Sequence, residues 1–271
     1  MTPQRTPNPE DRAASSEWNA RAYHTVSEPQ FEWGKQVLAT LQLQGDEIAI
    51  DGGCGTGRLT SLLAERLPDG FVIAIDRSAN MVNVAAETLA PFTNTGVALA
   101  DLSALPCQQT LDVVFSTATF HWVLDHDRLF ASLFAALRPG GKLVAQCGGI
   151  GNLDRIHSRA HELTATPEFS HWFANYREPR NYADASSTRR RLEGAGFRDV
   201  ETNIQPSPVA FPDADAFTAF VSTVVLRPVL SQIRDEGSRK SFVDRITDLS
   251  SADSPAFELD YQRLNIRARK P

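Results

Sequence analysis

Residues 48–59 read Ile48-Ala49-Ile50-Asp51-Gly52-Gly53-Cys54-Gly55-Thr56-Gly57-Arg58-Leu59. An apolar, β-branched stretch runs into an aspartate and a glycine cluster, after which Leu59, Leu62, Leu63 and Leu67 recur at helical spacing. The pattern predicts a strand, a tight turn and a helix. Glycines let the turn take positive φ and let a ligand approach the main chain, while the helix N-terminus offers free amides to an anionic group. A dinucleotide fingerprint needs a third glycine where Arg58 stands. The chain has Gly53-x-Gly55-x-Gly57 instead, with Asp51 just ahead. An acid there repels a pyrophosphate but accepts hydrogen bonds from a ligand ammonium, which points to an amino-acid moiety rather than a dinucleotide. A glycine-rich turn without a ligand is the plainer alternative.

Downstream the same rhythm repeats. Residues 71–75 form a second strand, entered from the Pro68-Asp69-Gly70 turn and ending at Asp76, followed by Arg77. Asp76 lies roughly twenty residues past the glycine turn, where an acid at a strand edge can accept from both ribose hydroxyls. Ser78 reads as a helix N-cap, and Met81 in the first turn either packs on a flat base or belongs to the core. Residues 96–99 lead into Ala100-Asp101-Leu102, where the acid can accept from an exocyclic amine and the next backbone amide can bond a ring nitrogen. Asp51, Asp76 and Asp101 thus follow three successive strands. The fourth strand, 111–116, opens through Thr117 into Phe120-His121-Trp122-Val123, placing a histidine and an indole at the same edge. A helix over 127–137 ends at Arg138-Pro139-Gly140-Gly141, and 142–147 is the fifth strand. This βα alternation predicts a parallel sheet with right-handed connections.

Upstream, Trp18, Tyr23, Phe31 and Trp33 punctuate 17–44, which holds one or two helices. These aromatics either pack the helices on the sheet or form a lid over the ligand. Beyond Gly148 the spacing predicts helices over 153–163, 185–195, 214–233 and 241–249, a strand near 199–205 and a last strand over 258–269. The organisation expected is a mobile tail at 1–16 and one domain over 17–271, with helical cap insertions near 150–183 and 212–250 above the strand ends.

At 271 residues, 42% hydrophobic composition and a net charge of −6, the chain can bury a full core and has no broad basic surface for nucleic acid. Three cysteines, Cys54, Cys107 and Cys147, suggest no disulfide framework, and a reducing cytoplasm fits. No apolar run suits a signal peptide or a membrane span. The six histidines are not spaced as metal ligands.

With these residues in view, the chain resembles the class I S-adenosylmethionine-dependent methyltransferases. Asp51 to Gly57, Asp76, Ala100-Asp101 and Leu137-Arg138-Pro139-Gly140-Gly141 match that family's motifs in order and spacing. The resemblance implies an α/β, Rossmann-like sheet of seven strands, mostly parallel, with helices on both faces, an antiparallel last strand and extra helices capping the site. It implies S-adenosyl-L-methionine as cofactor and S-adenosyl-L-homocysteine as product. The cofactor would be held by Tyr23, Asp51, Gly53, Gly55, Gly57, Asp76, Arg77, Met81, Asp101, Leu102 and Thr117. Within the family, Phe120 to Val123 with Tyr23 and Gln30 is similar to enzymes that esterify small carboxylates, such as trans-aconitate, juvenile hormone acid and malonyl carrier-protein methyltransferases. The resemblance then implies that Gln30 and Trp122 hold the substrate carboxylate.

A carboxylate is already ionised at neutral pH, so its methylation needs positioning more than a base. Its charge is lost as the oxygen attacks, so a lysine or arginine paired with it would stabilise the ground state more than the transition state. The neutral Gln30 amide and Trp122 indole avoid that penalty. His121 is either a base for a phenol or amine, or a pocket wall. The expected partner is a small molecule, a carboxylic acid in the first reading, and the chain is expected to be a monomer or homodimer without nucleic-acid or membrane partners. Other readings are O-, N- or C-methylation of a phenol, quinone or similar metabolite, a nicotinamide-dependent oxidoreductase, and a non-catalytic cofactor-binding protein.

Overall fold

Five strands, β1 (Ile48–Gly52), β2 (Phe71–Asp76), β3 (Thr95–Leu99), β4 (Leu111–Thr117) and β5 (Leu137–Gly148), pair in parallel. They are completed by β6 (Arg198–Pro206) and a final strand, separated from β6 by the short β7 (Val209–Ala210) and β8 (Glu258–Leu259). That final strand, β9 (Gln262–Arg269), inserts antiparallel between β5 and β6, giving the order β3-β2-β1-β4-β5-β9-β6. The computed structural model describes residues 18–271, so the tail expected at 1–16 lies outside the described residues. The switch point of this order falls between β1 and β4, where the strand ends open a crevice for a ligand.

The crossover helices follow from apolar spacing. In α1 (Ala20–Val26) and α2 (Glu28–Ala39), and then α3 (Arg58–Glu65), the stripe of Val37, Leu38 and Leu63 packs with Leu67 on Ala49, Val72 and Phe115 of the sheet. Leu63, Leu67 and Val72 are fully buried, each stabilising the fold by about 1.5–3 kcal/mol. Ser78 caps α4 (Ala79–Leu89) through a 3.3 Å bond from the Met81 amide. On the other face α5 (His126–Ala136) and α7 (Ala185–Gly194), which follows α6 (Asp154–Thr164), share a core with β4, β5 and β9.

A second core lies over the strand ends. It joins α6 to α8 (Ala214–Phe220), α9 (Arg227–Leu230) and α10 (Glu236–Ser251) through Ile156, Phe169, Phe217, Val229 and Phe242, with Trp33 packed against it. Among the described residues, no helix is long and apolar enough to cross a membrane.

Three element boundaries differ from expectation. The helix predicted over 214–233 is broken after Phe220 by a π-turn, Val221–Val225, closed by a 2.7 Å bond from the Leu226 amide to the Val221 carbonyl. Pro228 then sits in the first turn of α9, because proline has no N–H to continue the preceding ladder. The last strand predicted over 258–269 is two strands: β8 pairs with β7, and the Asp260-Tyr261 step carries the chain into the main sheet. Asp260 holds that step by accepting from the Arg155 amide at 3.1 Å. β5 begins at Leu137, earlier than the predicted residue 142, and its register with β4 shifts between Leu111 and Val113 to absorb the Pro139-Gly140-Gly141 turn chemistry.

Candidate active site

The glycine turn forms as its sequence requires. Gly53, Gly55 and Gly57 all have positive φ, and the Gly53 and Cys54 amides bond the Ile75 carbonyl of β2 at 2.8 and 2.9 Å. An added Cβ at Gly53 would stand 2.1 Å from Thr119 Oγ1, whereas one at Gly55 would meet nothing within 4 Å. The space beside Gly55 belongs to a cleft of about 430 Å³. Its floor is Gly53 and Gly55, one side carries Asp76, Arg77 and Met81, and the far end holds Asp101 and Leu102. Tyr23 and Thr117, which the family resemblance put beside the cofactor, also line this cleft.

Asp76 is tied from both sides, accepting from the Gly55 amide at 3.1 Å and the Ser78 amide at 2.9 Å. Burial nonetheless holds its carboxyl above the usual range. Asp101 accepts from the Ser103 amide at 2.8 Å, which opens a 3₁₀ turn over Leu102–Ala104.

Asp51 and Gly57 do not reach the cleft wall. Asp51 lies beneath the loop, 2% exposed, with Oδ2 accepting from Thr60 Oγ1 at 2.6 Å. Burial raises its carboxyl to about 7. Gly57 faces away, with Ala85 and Leu89 of α4 at van der Waals distance from where its Cβ would be.

A smaller space of about 40 Å³ adjoins the cleft, sharing Trp18, Tyr23, Ala118 and Trp122 as a common wall. Gln30 and His121 meet Trp122 here. Gln30 is buried, its Nε2 lies 3.2 Å from Tyr261 Oη, and its Oε1 has no partner among the described residues. His121 follows β4 in a short 3₁₀ turn, with its ring stacked on Tyr182 at 5.6 Å. The Gly148 amide donates to His121 Nδ1 at 3.2 Å, so the neutral ring carries its proton on Nε2. Burial, with Arg263 and Arg180 nearby, holds this imidazole well below its usual range.

The aromatic lid and the packing role divide between residues. Trp18 stacks edge-on against Tyr23 at 5.2 Å and Trp122 at 5.4 Å, roofing both spaces, and His24 Nδ1 contacts Thr56 Oγ1 of the glycine turn at 3.0 Å. Trp33 packs on Tyr261, and Phe31 lies under the Arg58 guanidinium.

Two cations in the inner space escaped the sequence reading. Arg180 comes from the segment before α7. Its Nη2 bonds Glu178 Oε2 at 3.1 Å and its Nη1 donates to the Val225 carbonyl at 3.0 Å. Arg263 comes from β9, is 3% exposed, donates from Nε to Gln146 Oε1 at 3.3 Å and stacks on Trp33 at 4.6 Å. A guanidinium pair thus borders the same cavity as the neutral Gln30 and Trp122, and among the described residues no Asp, Glu or Lys lines it. One signal was present, an arginine in a strand whose other charged residues, Arg267 and Arg269, fall further along toward the bottom of the sheet.

Comparison with known proteins agrees with this geometry. A family model described as a methyltransferase domain matches residues 49–141, spanning the glycine turn and all three strand-end acids. The chain is 30% identical to a trans-aconitate 2-methyltransferase of Methylobacterium radiotolerans, over 86% of this chain and 88% of that one. It is 32% identical to one from Afipia carboxidovorans, over 86% and 89%. Among solved structures, a Haemonchus contortus phosphoethanolamine N-methyltransferase 2 in complex with S-adenosyl-L-methionine superposes with a TM-score of 0.60 at 17% identity, covering 97% of this chain and 58% of that one. That likeness speaks for the fold. Open space beside Gly55, the buried acceptor Asp76 and the acid at the adenine end fit the methionine, ribose and base of that cofactor. Sheet order, strand-end acids and relatives together show that the chain belongs to the class I S-adenosylmethionine-dependent methyltransferases.

Proposed function

We propose that the protein methylates a carboxylate oxygen of a small acid, giving a methyl ester. The observation that carries this reading is the polar lining of the inner cavity: the amides of Gln30 and Asn152, the indoles of Trp18 and Trp122, three phenols, a neutral imidazole and two guanidiniums, without a carboxylate or amine among the described residues. Such a wall suits an anion and offers no proton acceptor poised for a phenol or ammonium. His121 is a poor base here, since its Nδ1 is taken by the Gly148 amide and burial disfavours its protonated form. Tyr23 and Tyr182 are likewise held protonated by burial. The relatives' name, trans-aconitate 2-methyltransferase, is that of a carboxylic-acid methyltransferase and points the same way.

S-adenosyl-L-methionine, bound in the cleft, supplies an electrophilic methyl group and leaves as S-adenosyl-L-homocysteine. The chain's part is to hold an oxygen nucleophile in line across the shared Trp18-Tyr23-Trp122 wall and to keep water out. Gln30 and the Trp122 indole can hold the reacting carboxylate without a formal charge, so the loss of its negative charge forfeits no ion pair. Tyr261 matters to this. Turning the Gln30 amide over would let the Tyr261 hydroxyl donate to Oε1 and free Nε2 as a donor, satisfying the otherwise orphaned acceptor.

Transfer of labelled methyl to a panel of small acids, followed by mild base, tests the reading. The expected product is base-labile, with kcat/KM reduced about tenfold or more in Gln30→Ala and in Trp122→Phe, consistent with loss of a neutral hydrogen bond each. Its rate should show no inflection in the histidine range. Base-stable product formed only on phenols or amines would reject carboxyl transfer and return His121 to the role of base.

A further inference from the structure

Resting on the carboxylate reading above, we propose that Arg263 is a specificity-determining residue that binds a second carboxylate of the acceptor, one that is not methylated. The two guanidiniums of the inner cavity differ in one respect. Arg180 already has its counter-ion in Glu178 and further bonds to the Val225 carbonyl and toward His157 Nδ1. Arg263 has none among the described residues: its side-chain hydrogen bond there is to the neutral Gln146 amide, and Trp33 and Tyr261 lie against its faces. The titratable groups facing it are Cys147, Tyr261, Tyr182 and Tyr23, all of which burial keeps in their uncharged forms.

An enclosed guanidinium with no counter-ion is costly, because desolvation is not repaid by a partner. The fold meets that cost where an anionic ligand can repay it, and the cavity is where Arg263 is exposed to one. Which anion it pairs with follows from the chemistry of transfer. Paired with the reacting carboxylate, Arg263 would lose its partner at the moment that oxygen becomes an ester, which raises the barrier. Paired with a carboxylate that stays ionised throughout, it contributes equally to ground and transition states and acts on KM rather than kcat. The geometry therefore assigns the neutral Gln30 and Trp122 to the oxygen that reacts and Arg263 to a carboxylate that does not. A monoacid fills only the first position and leaves the cation unmatched.

The test compares trans-aconitate and fumarate with carboxamide analogues that keep a single carboxylate, the diamide of trans-aconitate and the monoamide of fumarate, in which each amide is neutral and of about the same size as the group it replaces. Base-labile label is measured for the wild type, Arg263→Lys and Arg263→Met, with S-adenosylhomocysteine affinity by calorimetry as the fold control. The wild type should favour each full acid over its single-carboxylate amide by about 100-fold in kcat/KM, the cost of leaving a buried charge unpaired. Arg263→Met should erase that preference by raising KM for the full acid at similar kcat, and Arg263→Lys should keep part of it. A wild type that esterifies the single-carboxylate amides as well as the full acids overturns the proposal even if Arg263→Met fails to bind S-adenosylhomocysteine. So does an Arg263→Met enzyme that retains the preference. Absence of base-labile product from every acid, with base-stable methylation of a phenol or amine, overturns the carboxylate reading itself and this inference with it.

Discussion

Two glycines of one turn should fail in opposite ways. Gly53 and Gly55 both hold positive φ, 74° and 54°, so alanine at either strains the backbone by about 1–2 kcal/mol. Beyond that they differ. A methyl at Gly53 would stand 2.1 Å from Thr119 Oγ1 and 2.3 Å from its Cγ2, and Thr119 is itself held by a 2.9 Å bond to the Thr117 carbonyl. Overpacking of this kind adds about 1–3 kcal/mol, so Gly53→Ala should cost about 3 kcal/mol in all. In a chain of this size that is a fall in Tm of about 6–8 °C. A methyl at Gly55 meets no protein atom within 4 Å, so the apo enzyme should lose only about 2–4 °C. The open space it fills belongs to the cleft proposed for the cofactor, so the loss should appear in binding. Thermal melts of the apo proteins and calorimetric titration with S-adenosylhomocysteine separate the two effects. Gly55→Ala should bind at least about tenfold more weakly than the wild type, a 1.4 kcal/mol loss. Gly55→Ala with wild-type affinity, or a Tm drop equal to that of Gly53→Ala, would refute the assignment of that space to the ligand.

Two further outcomes follow from buried polar groups. Asp51 in the fold titrates near 7, above its unfolded value, so it favours the folded state fully below about pH 4, and that contribution is lost as pH rises through 7. The apo protein should therefore melt higher at pH 5.5 than at 7.5, with about 2 kcal/mol at stake over that interval, and Asp51→Asn should flatten the difference. Because Asp51 lies beneath the glycine loop and does not line the cleft, S-adenosylhomocysteine affinity should change little between pH 6 and 8. Affinity that rises about tenfold over that range would place Asp51 in contact with the ligand ammonium. Tyr261→Phe removes the partner of the Gln30 side chain, and kcat/KM should fall about tenfold with S-adenosylhomocysteine affinity unchanged, an outcome steady-state kinetics can contradict directly.

Much of the cofactor half was legible because its signals are local. The glycine turn, the strand-end acids and the Ser78 cap each declare themselves within a few residues, and successive strands place them side by side. The acceptor half is assembled from distant parts, with Gln30 from α2, His121 after β4, Arg180 before α7 and Arg263 from β9. Arg263 was hidden for a particular reason. In β9 the buried apolar residues are Leu264, Ile266 and Ala268, so Arg263 falls on the alternate face with Asn265 and Arg267. That face reads as solvated, yet at its upper end Trp33 and the cap helices close over it. The π-turn at Val221–Val225 was equally invisible, since its apolar residues have the same spacing as an unbroken helix.

The clustering of indoles gives the enzyme a built-in optical probe. Of the four tryptophans in the chain, Trp18 and Trp122 form the wall between the two spaces, and Trp33 lies against Arg263. Only Trp172 sits apart, in the cap. Emission from the unlabelled protein will thus be dominated by side chains that touch a ligand or its immediate neighbours, so its quenching or spectral shift can follow the arrival of acceptor and cofactor in real time. Trp18→Phe, Trp33→Phe and Trp122→Phe would then resolve the signal into separate reports from the roof, the Arg263 side and the shared wall.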